Sequence, residues 1–240
     1  MRISHQYKFI FFANPKTGSE SVREILAPYS DIQSVTYATR NIENPFYSHI
    51  TPQEVKTLFS ERGWNFDEYF KFTFVRNPWA KLVSLYEMIY STKSTNPPSK
   101  DADLATKAKS KLRILRKKVV NRNKPDFKTW LSTIETSGIG AGGKESQRWR
   151  RYGAYSLDNY IMDDARNVLV DRVIPLERIH CDLVPTLMEL GIPEAEKVEI
   201  KPVNVRKYQK YTEYYDSETI DRVRQLYRYD IENFGYEFGQ

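Results

Sequence analysis

A chain of 240 residues that is 40% hydrophobic and 14% aromatic carries enough apolar side chain for one well-cored domain, which excludes a disordered or low-complexity protein. No apolar run reaches the roughly 18 residues of a membrane helix, and a lone cysteine, Cys181, excludes an internal disulfide framework. Net charge is +6, yet eight Lys and three Arg against Asp101 and Asp103 put +9 into residues 93–124, leaving −3 for the remainder.

In chain order, "MRISHQYKFIFF" enters a strand almost at once and leaves no room for a signal peptide. With no Asn-x-Ser/Thr sequon and one cysteine, the expected setting is reducing and cytoplasmic. Phe9 to Asn14 reads as a buried strand, Pro15 to Ser19 as a turn, and Ser19 to Leu26 as a helix. Asp31 to Thr39 is a second expected strand. Thr51, Pro52 and Glu54 form a helix start with a capping box, and Gly63 follows its end. Tyr69 to Arg76 is a third strand. Asn77-Pro78 opens a helix to about Tyr90, with Leu82, Leu85, Tyr86 and Ile89 at helical spacing.

Leu104, Ala108, Leu112, Leu115 and Val119 form an apolar stripe on a basic helix, and Phe127, Trp130, Leu131 and Ile134 a shorter amphipathic helix. The glycine run of "TSGIGAGGKES" lacks the preceding strand and following helix of a dinucleotide fingerprint. Val168 to Leu176 reads as extended and Arg178 to Leu190 as helical. A last helix from Asp216 or Ser217 aligns Ile220, Val223, Tyr227, Ile231 and Phe234. Strands alternating with helices predict an α/β chain: a single three-layer, P-loop-like domain over 1–240, with a central, mainly parallel sheet and a helical insertion around 93–135, strongly basic over about 93–124.

The turn after the first strand carries chemistry. Backbone N–H groups from Thr17 to Ser21 lie at a helix N-terminus, where orphan donors and the helix dipole favour an anion. Thr17, Ser19 and Ser21 add hydroxyls, Lys16 adds a charge, and Gly18 permits close approach. An ordinary strand–turn–helix with a surface lysine is the bland alternative, but it has no use for this combination. A P-loop nucleotide kinase would need Gly-x-x-x-x-Gly-Lys-Ser/Thr and a strand ending in a metal-holding Asp. The third strand ends instead in Arg76, which suits a second phosphate.

"NPKTGSES" resembles the 5′-phosphosulfate loop of sulfotransferases that use 3′-phosphoadenosine 5′-phosphosulfate (PAPS), and "FKFTFVRNPWAKLVSLY" is similar to their 3′-phosphate motif. "VIPLERIHCDLVPTLMELGI", with Glu177 at a usual acidic position, and the Tyr-rich closing segment look like the carbohydrate-type branch (sulfotransferase family 2-like). The resemblance covers most of the chain outside Ser91 to about Lys124. One departure is Asn204-Val205-Arg206, where the family often has Asn-x-Ser, so Asn204 is a weak site candidate.

The resemblance implies sulfuryl transfer from PAPS to an acceptor hydroxyl by in-line displacement, leaving 3′,5′-ADP, with no metal. It implies that Lys16 stabilises the leaving oxygen. Pro15, Lys16, Thr17, Gly18, Ser19, Glu20 and Ser21 hold the 5′ end, and Arg76 and Ser84 hold the 3′-phosphate. A base is also needed. His49, two residues before the Thr51 cap, is the candidate over His5 and His180, with Glu20 or Glu54 as alternatives. The expected partner is a carbohydrate or other hydroxyl-bearing acceptor. The +9 segment would suit an anionic one, or be only a solvated face; nucleic acid fits less well, for want of a recognised module. Clustered tyrosines (Tyr208, Tyr211, Tyr214, Tyr215) suit sugar stacking and core packing equally. A non-catalytic nucleotide- or polyanion-binding protein on this fold is the reading from a different class.

Overall fold

A computed structural model of the chain describes residues 1–90, 124–134, 153–201 and 209–240, with the isolated positions 103, 108 and 112. Most of the basic segment, the glycine run of 136–146, Asn204 and Tyr208 lie outside the described residues. Leu112, one member of the expected apolar stripe, is exposed.

Five strands form one mixed α/β sheet in the order β3-β1-β2-β4-β5: β1 is Arg2–Ser4, β2 Phe9–Phe12, β3 Ile32–Gln33, β4 Phe70–Val75 and β5 Arg172–Pro175. β2, β4 and β5 run parallel, as the strand–helix alternation predicts. At the other side β1 pairs antiparallel with both β2 and β3. The opening residues therefore make a hairpin of two strands rather than one, turning where Lys8 adopts φ 49°. The second expected strand shrinks to Ile32–Gln33, because that stretch lies at the sheet edge and is largely exposed; Tyr37–Thr39 coils into a 3-10 turn.

β2 is buried throughout, and its side chains alternate between two cores. Phe9 and Phe11 pack with Phe72 and Phe74 of β4, Val22 and Leu26 of α1 (Ser19–Leu26), and Leu183 and Leu187 of a later helix, Ile179–Glu189. Ile10 and Phe12 join a core with Val55 and Phe59 of α2 (Pro52–Glu61) and Leu82 and Leu85 of α3 (Pro78–Tyr90). The expected capping box of α2 is present, with the Thr51 hydroxyl accepting from the Glu54 N–H. Asp126 caps α4 (Phe127–Ser132), and α5 (Asp158–Ile161) precedes β5; the helix after β5 is α6.

The last expected helix is broken in two, α7 (Ser217–Leu226) and α8 (Arg228–Phe234), at Tyr227, whose φ of −116° and ψ of 31° leave the helical region. The break accompanies a buried polar cluster. Asp230 is fully buried and its Oδ1 accepts the Leu157 N–H at 2.7 Å. Lys81 of α3 donates to the Tyr155 carbonyl at 2.8 Å and lies over the rings of Tyr155 and Tyr227. No helix among the described residues is long and apolar enough to cross a membrane.

Because β2, β4 and β5 are parallel, the segments leaving them emerge at one edge of the sheet: the Asn14 loop, Arg76 and Leu176-Glu177. Carboxyl ends of parallel strands are where α/β sheets receive ligands.

Candidate active site

The loop between β2 and α1 is tied down from below. Asn14 Nδ2 donates to the Phe74 carbonyl at 2.9 Å, and Thr17 Oγ1 donates to the Asn14 carbonyl at 2.8 Å. Lys16 (φ 67°) and Gly18 (φ 72°) are left-handed while Thr17 between them is not. Such alternation turns successive N–H groups toward one concave side, the geometry of an anion nest. A left-handed lysine costs roughly 1–2 kcal/mol, and strain of this kind collects at functional positions. α1 begins on Gly18 with no side-chain cap; the Ser21 N–H turns back to the Gly18 carbonyl at 3.2 Å, which leaves the Ser19 and Glu20 N–H groups as the first-turn donors for a ligand.

Two contacts from distant sequence shape the loop. A Cβ on Gly18 would stand 2.6 Å from Leu176 Cδ1, and one on Gly153 (φ +89°) 2.4 Å from Pro15 Cβ. Gly153 thus supplies, from another part of the chain, the close backbone approach that the loop's single glycine leaves unfilled. Sequence reasoning missed it, since nothing local marks Gly153 as a neighbour of Pro15.

The sequence-predicted residues converge in part. Arg76 Nη1 donates to the Lys16 carbonyl at 3.3 Å, joining the two expected phosphate motifs. Lys16 Nζ lies 3.7 Å from Met88 Sδ of α3. Ser19 and Ser21 are buried in the first turn of α1. Glu20 is exposed and ion-paired with Arg23, which commits its carboxylate. Ser84 is buried on α3, and no hydrogen bond among the described residues ties it to the loop.

His49 reaches the same loop. Its Nδ1 lies 2.7 Å from the Ala13 carbonyl, immediately before Asn14. A carbonyl only accepts, so Nδ1 carries the proton and the neutral ring presents Nε2 as a lone pair. Burial holds the imidazole down at about 4, opposed by the Ala13 contact and reinforced by the amino group of Met1, Arg23 and Lys16. Glu54, by contrast, is occupied: it accepts from the Thr51 N–H and hydroxyl and from the Tyr47 hydroxyl. His5 sits apart, against Tyr69 and Trp64.

The far end of the site is built by β5 and the C-terminal segment. Asn77 caps α3 by accepting the Ala80 N–H at 3.2 Å. Its own N–H donates to Glu177 Oε1 at 2.9 Å, and its Nδ2 to the Glu237 carbonyl at 3.1 Å. Beyond the residues flanking His49, a cleft of about 680 Å³ is lined by Tyr47, Glu54, Asp158, Asp163, Asp164 and Arg166 among others, so acids outnumber bases there. Among the described residues no group of three or more His, Cys, Asp or Glu side chains could hold a metal ion.

The model of the Sulfotransferase family matches residues 1–237. The chain belongs to the sulfotransferase family. No curated protein and no solved structure matches it. Membership makes this sulfotransferase a transferase that requires an acceptor substrate, and the match runs across the loop between β2 and α1, Arg76 and the closing helices alike.

Proposed function

We propose that this sulfotransferase moves a sulfuryl group from PAPS to an acceptor hydroxyl, with a carbohydrate as the acceptor class, through a three-layer P-loop-like domain working in a reducing, cytoplasmic setting. The observation that carries the reading is the contact of the Arg76 guanidinium with the backbone carbonyl of Lys16, which joins the strand-end arginine to the lysine-bearing loop at one edge of a parallel sheet, beside a helix N-terminus without a side-chain cap. The residues present suit such a donor: a left-handed loop with hydroxyls for one anionic end, and a guanidinium at the next strand end for another.

PAPS supplies the activated sulfuryl group and leaves as 3′,5′-ADP. The loop from Pro15 to Ser21 holds its 5′ end: Pro15, which has no N–H, sets the turn, the backbone N–H groups of Lys16 to Glu20 face the anion, and the Ser19 and Ser21 hydroxyls add donors. The Thr17 hydroxyl is committed to the Asn14 carbonyl and braces the loop. Lys16 neutralises charge on the departing oxygen, the contribution expected to be largest in this chemistry. Arg76, with Ser84, takes the 3′-phosphate and distinguishes this donor from ATP; a planar guanidinium grips phosphate in two places at once. His49 Nε2 accepts the acceptor's proton. A bound anion beside Lys16 offsets one of the positive charges that depress the imidazole, raising its basicity when it is needed.

The test is release of 3′,5′-ADP from PAPS in the presence of hydroxyl-bearing acceptors, for wild type and Lys16→Ala. Lys16→Ala is expected to lower turnover by about 100-fold or more. Turnover within a few-fold of wild type would overturn the assignment of Lys16.

A further inference from the structure

We propose that Tyr236 is a positioning residue that keeps Arg76 available to a phosphate, by holding the Glu177 carboxylate away from it. The proposal rests on the reading of Arg76 as the 3′-phosphate ligand.

The register of the sheet creates the problem that Tyr236 solves. β4 and β5 are parallel with Val75 opposite Pro175, so the next residues to leave the sheet are Arg76 on one strand, and Leu176 then Glu177 on the other. A carboxylate and a guanidinium brought to neighbouring strand ends are natural bidentate partners. Their pairing would cancel the charge the site needs. Yet Arg76 makes no ion pair among the described residues; its guanidinium donates only to the neutral Lys16 carbonyl.

Glu177 is instead satisfied by two neutral donors. Its Oε1 accepts the Asn77 N–H at 2.9 Å, and its Oε2 accepts the Tyr236 hydroxyl at 3.1 Å. Tyr236 is well placed to be permanent. Its ring is buried in the core shared by α2 and α3, and the segment is tied again one residue on, where the Glu237 carbonyl accepts from Asn77 Nδ2. Burial, then the Glu177 charge, push the phenol above its ordinary range, so it stays a donor throughout physiological pH. The Arg76 charge acts on the same phenol in the opposite sense, which places all three groups within electrostatic reach. Removing the hydroxyl leaves Oε2 unpaired and partly desolvated, a state that favours capture of the guanidinium.

Calorimetric titration of the full chain with 3′,5′-ADP and with 5′-ADP tests this in wild type, Tyr236→Phe, Glu177→Gln and the double variant. Tyr236→Phe keeps the buried ring. It is expected to weaken 3′,5′-ADP binding by about tenfold, the loss of one charged hydrogen bond, and to leave 5′-ADP unchanged. Glu177→Gln removes the competing charge, so the double variant should return to within about threefold of Glu177→Gln alone, a coupling that independent sites do not show. A double variant as weak as Tyr236→Phe, equal weakening of both nucleotides, or loss of the 3′-phosphate preference in Glu177→Gln alone would each overturn the proposal. Equal binding of the two nucleotides by wild type would overturn the reading of Arg76 itself, and this proposal with it.

Discussion

Gly153 stands 135 residues beyond Gly18, yet the structure packs it against Pro15 in the loop between β2 and α1. Replacing it with Ala asks for two things at once. The backbone must keep φ +89° with a Cβ, which costs roughly 1–2 kcal/mol. That Cβ must also fit where Pro15 Cβ and Cγ would stand at 2.4 and 2.5 Å, an overpacking that costs about 1–3 kcal/mol. Proline is a rigid ring, so relief comes from moving Pro15 and the loop it begins. Gly63→Ala separates the two costs: it has φ +67° and open space around its Cβ, so it carries the backbone term alone. Urea unfolding should find Gly153→Ala less stable than Gly63→Ala by about 1–3 kcal/mol. Titration with 3′,5′-ADP should find it weakened in Gly153→Ala and unchanged in Gly63→Ala. Equal stabilities and equal affinities for the two variants would refute the claim that Gly153 shapes the loop.

Three titrating groups give further expectations. His49 is held at about 4 in the folded chain and returns to about 6.5 on unfolding, so the unfolded chain binds more protons between those values. Its contribution is full above pH 6.5 and is lost as pH falls through 4, by up to about 3 kcal/mol. His49→Gln should flatten the stability profile over that window, and parallel profiles for variant and wild type would contradict the placement of His49. In the interior, burial raises Asp230 to about 7 and lowers Lys81 to about 8. Lys81→Met removes the hydrogen bond to the Tyr155 carbonyl and the positive charge that opposes the rise of Asp230, and should destabilise the fold. The cost should be larger at pH 8, where Asp230 is ionised, than at pH 5; an identical loss at both would mean that the Lys81 charge does not act on Asp230.

Elements whose period or caps are local were legible in the sequence. β2, β4, α1 and α3 fall where apolar runs and the Asn77-Pro78 start place them, and Thr51 caps α2 with Glu54 as the pattern requires. The break at Tyr227 was not legible, because Ile220, Val223, Tyr227, Ile231 and Phe234 keep an unbroken helical stripe. Its accompaniment, the burial of Asp230 against Leu157, is a tertiary event. The antiparallel β1 was hidden for a related reason: a three-residue strand carries too little alternation to stand apart from β2. At the candidate site, Lys16, Arg76 and His49 could be proposed from the loop, the strand end and the cap. What Gly153, Leu176 and Tyr236 do depends on residues far away in sequence, so no local signal marks them.

The central claim is that Lys16 and Arg76 form one site for a nucleotide carrying phosphate at both its 3′ and 5′ positions. A thermal-shift titration with 3′,5′-ADP, 5′-ADP and Mg-ATP on wild type and Arg76→Ala tests it most directly, since a ligand that binds only the folded chain raises its melting temperature by mass action. The account predicts stabilisation of wild type by 3′,5′-ADP well beyond that by the other two, and loss of that preference in Arg76→Ala. An equal response to all three, or a response to Mg-ATP alone, would contradict it.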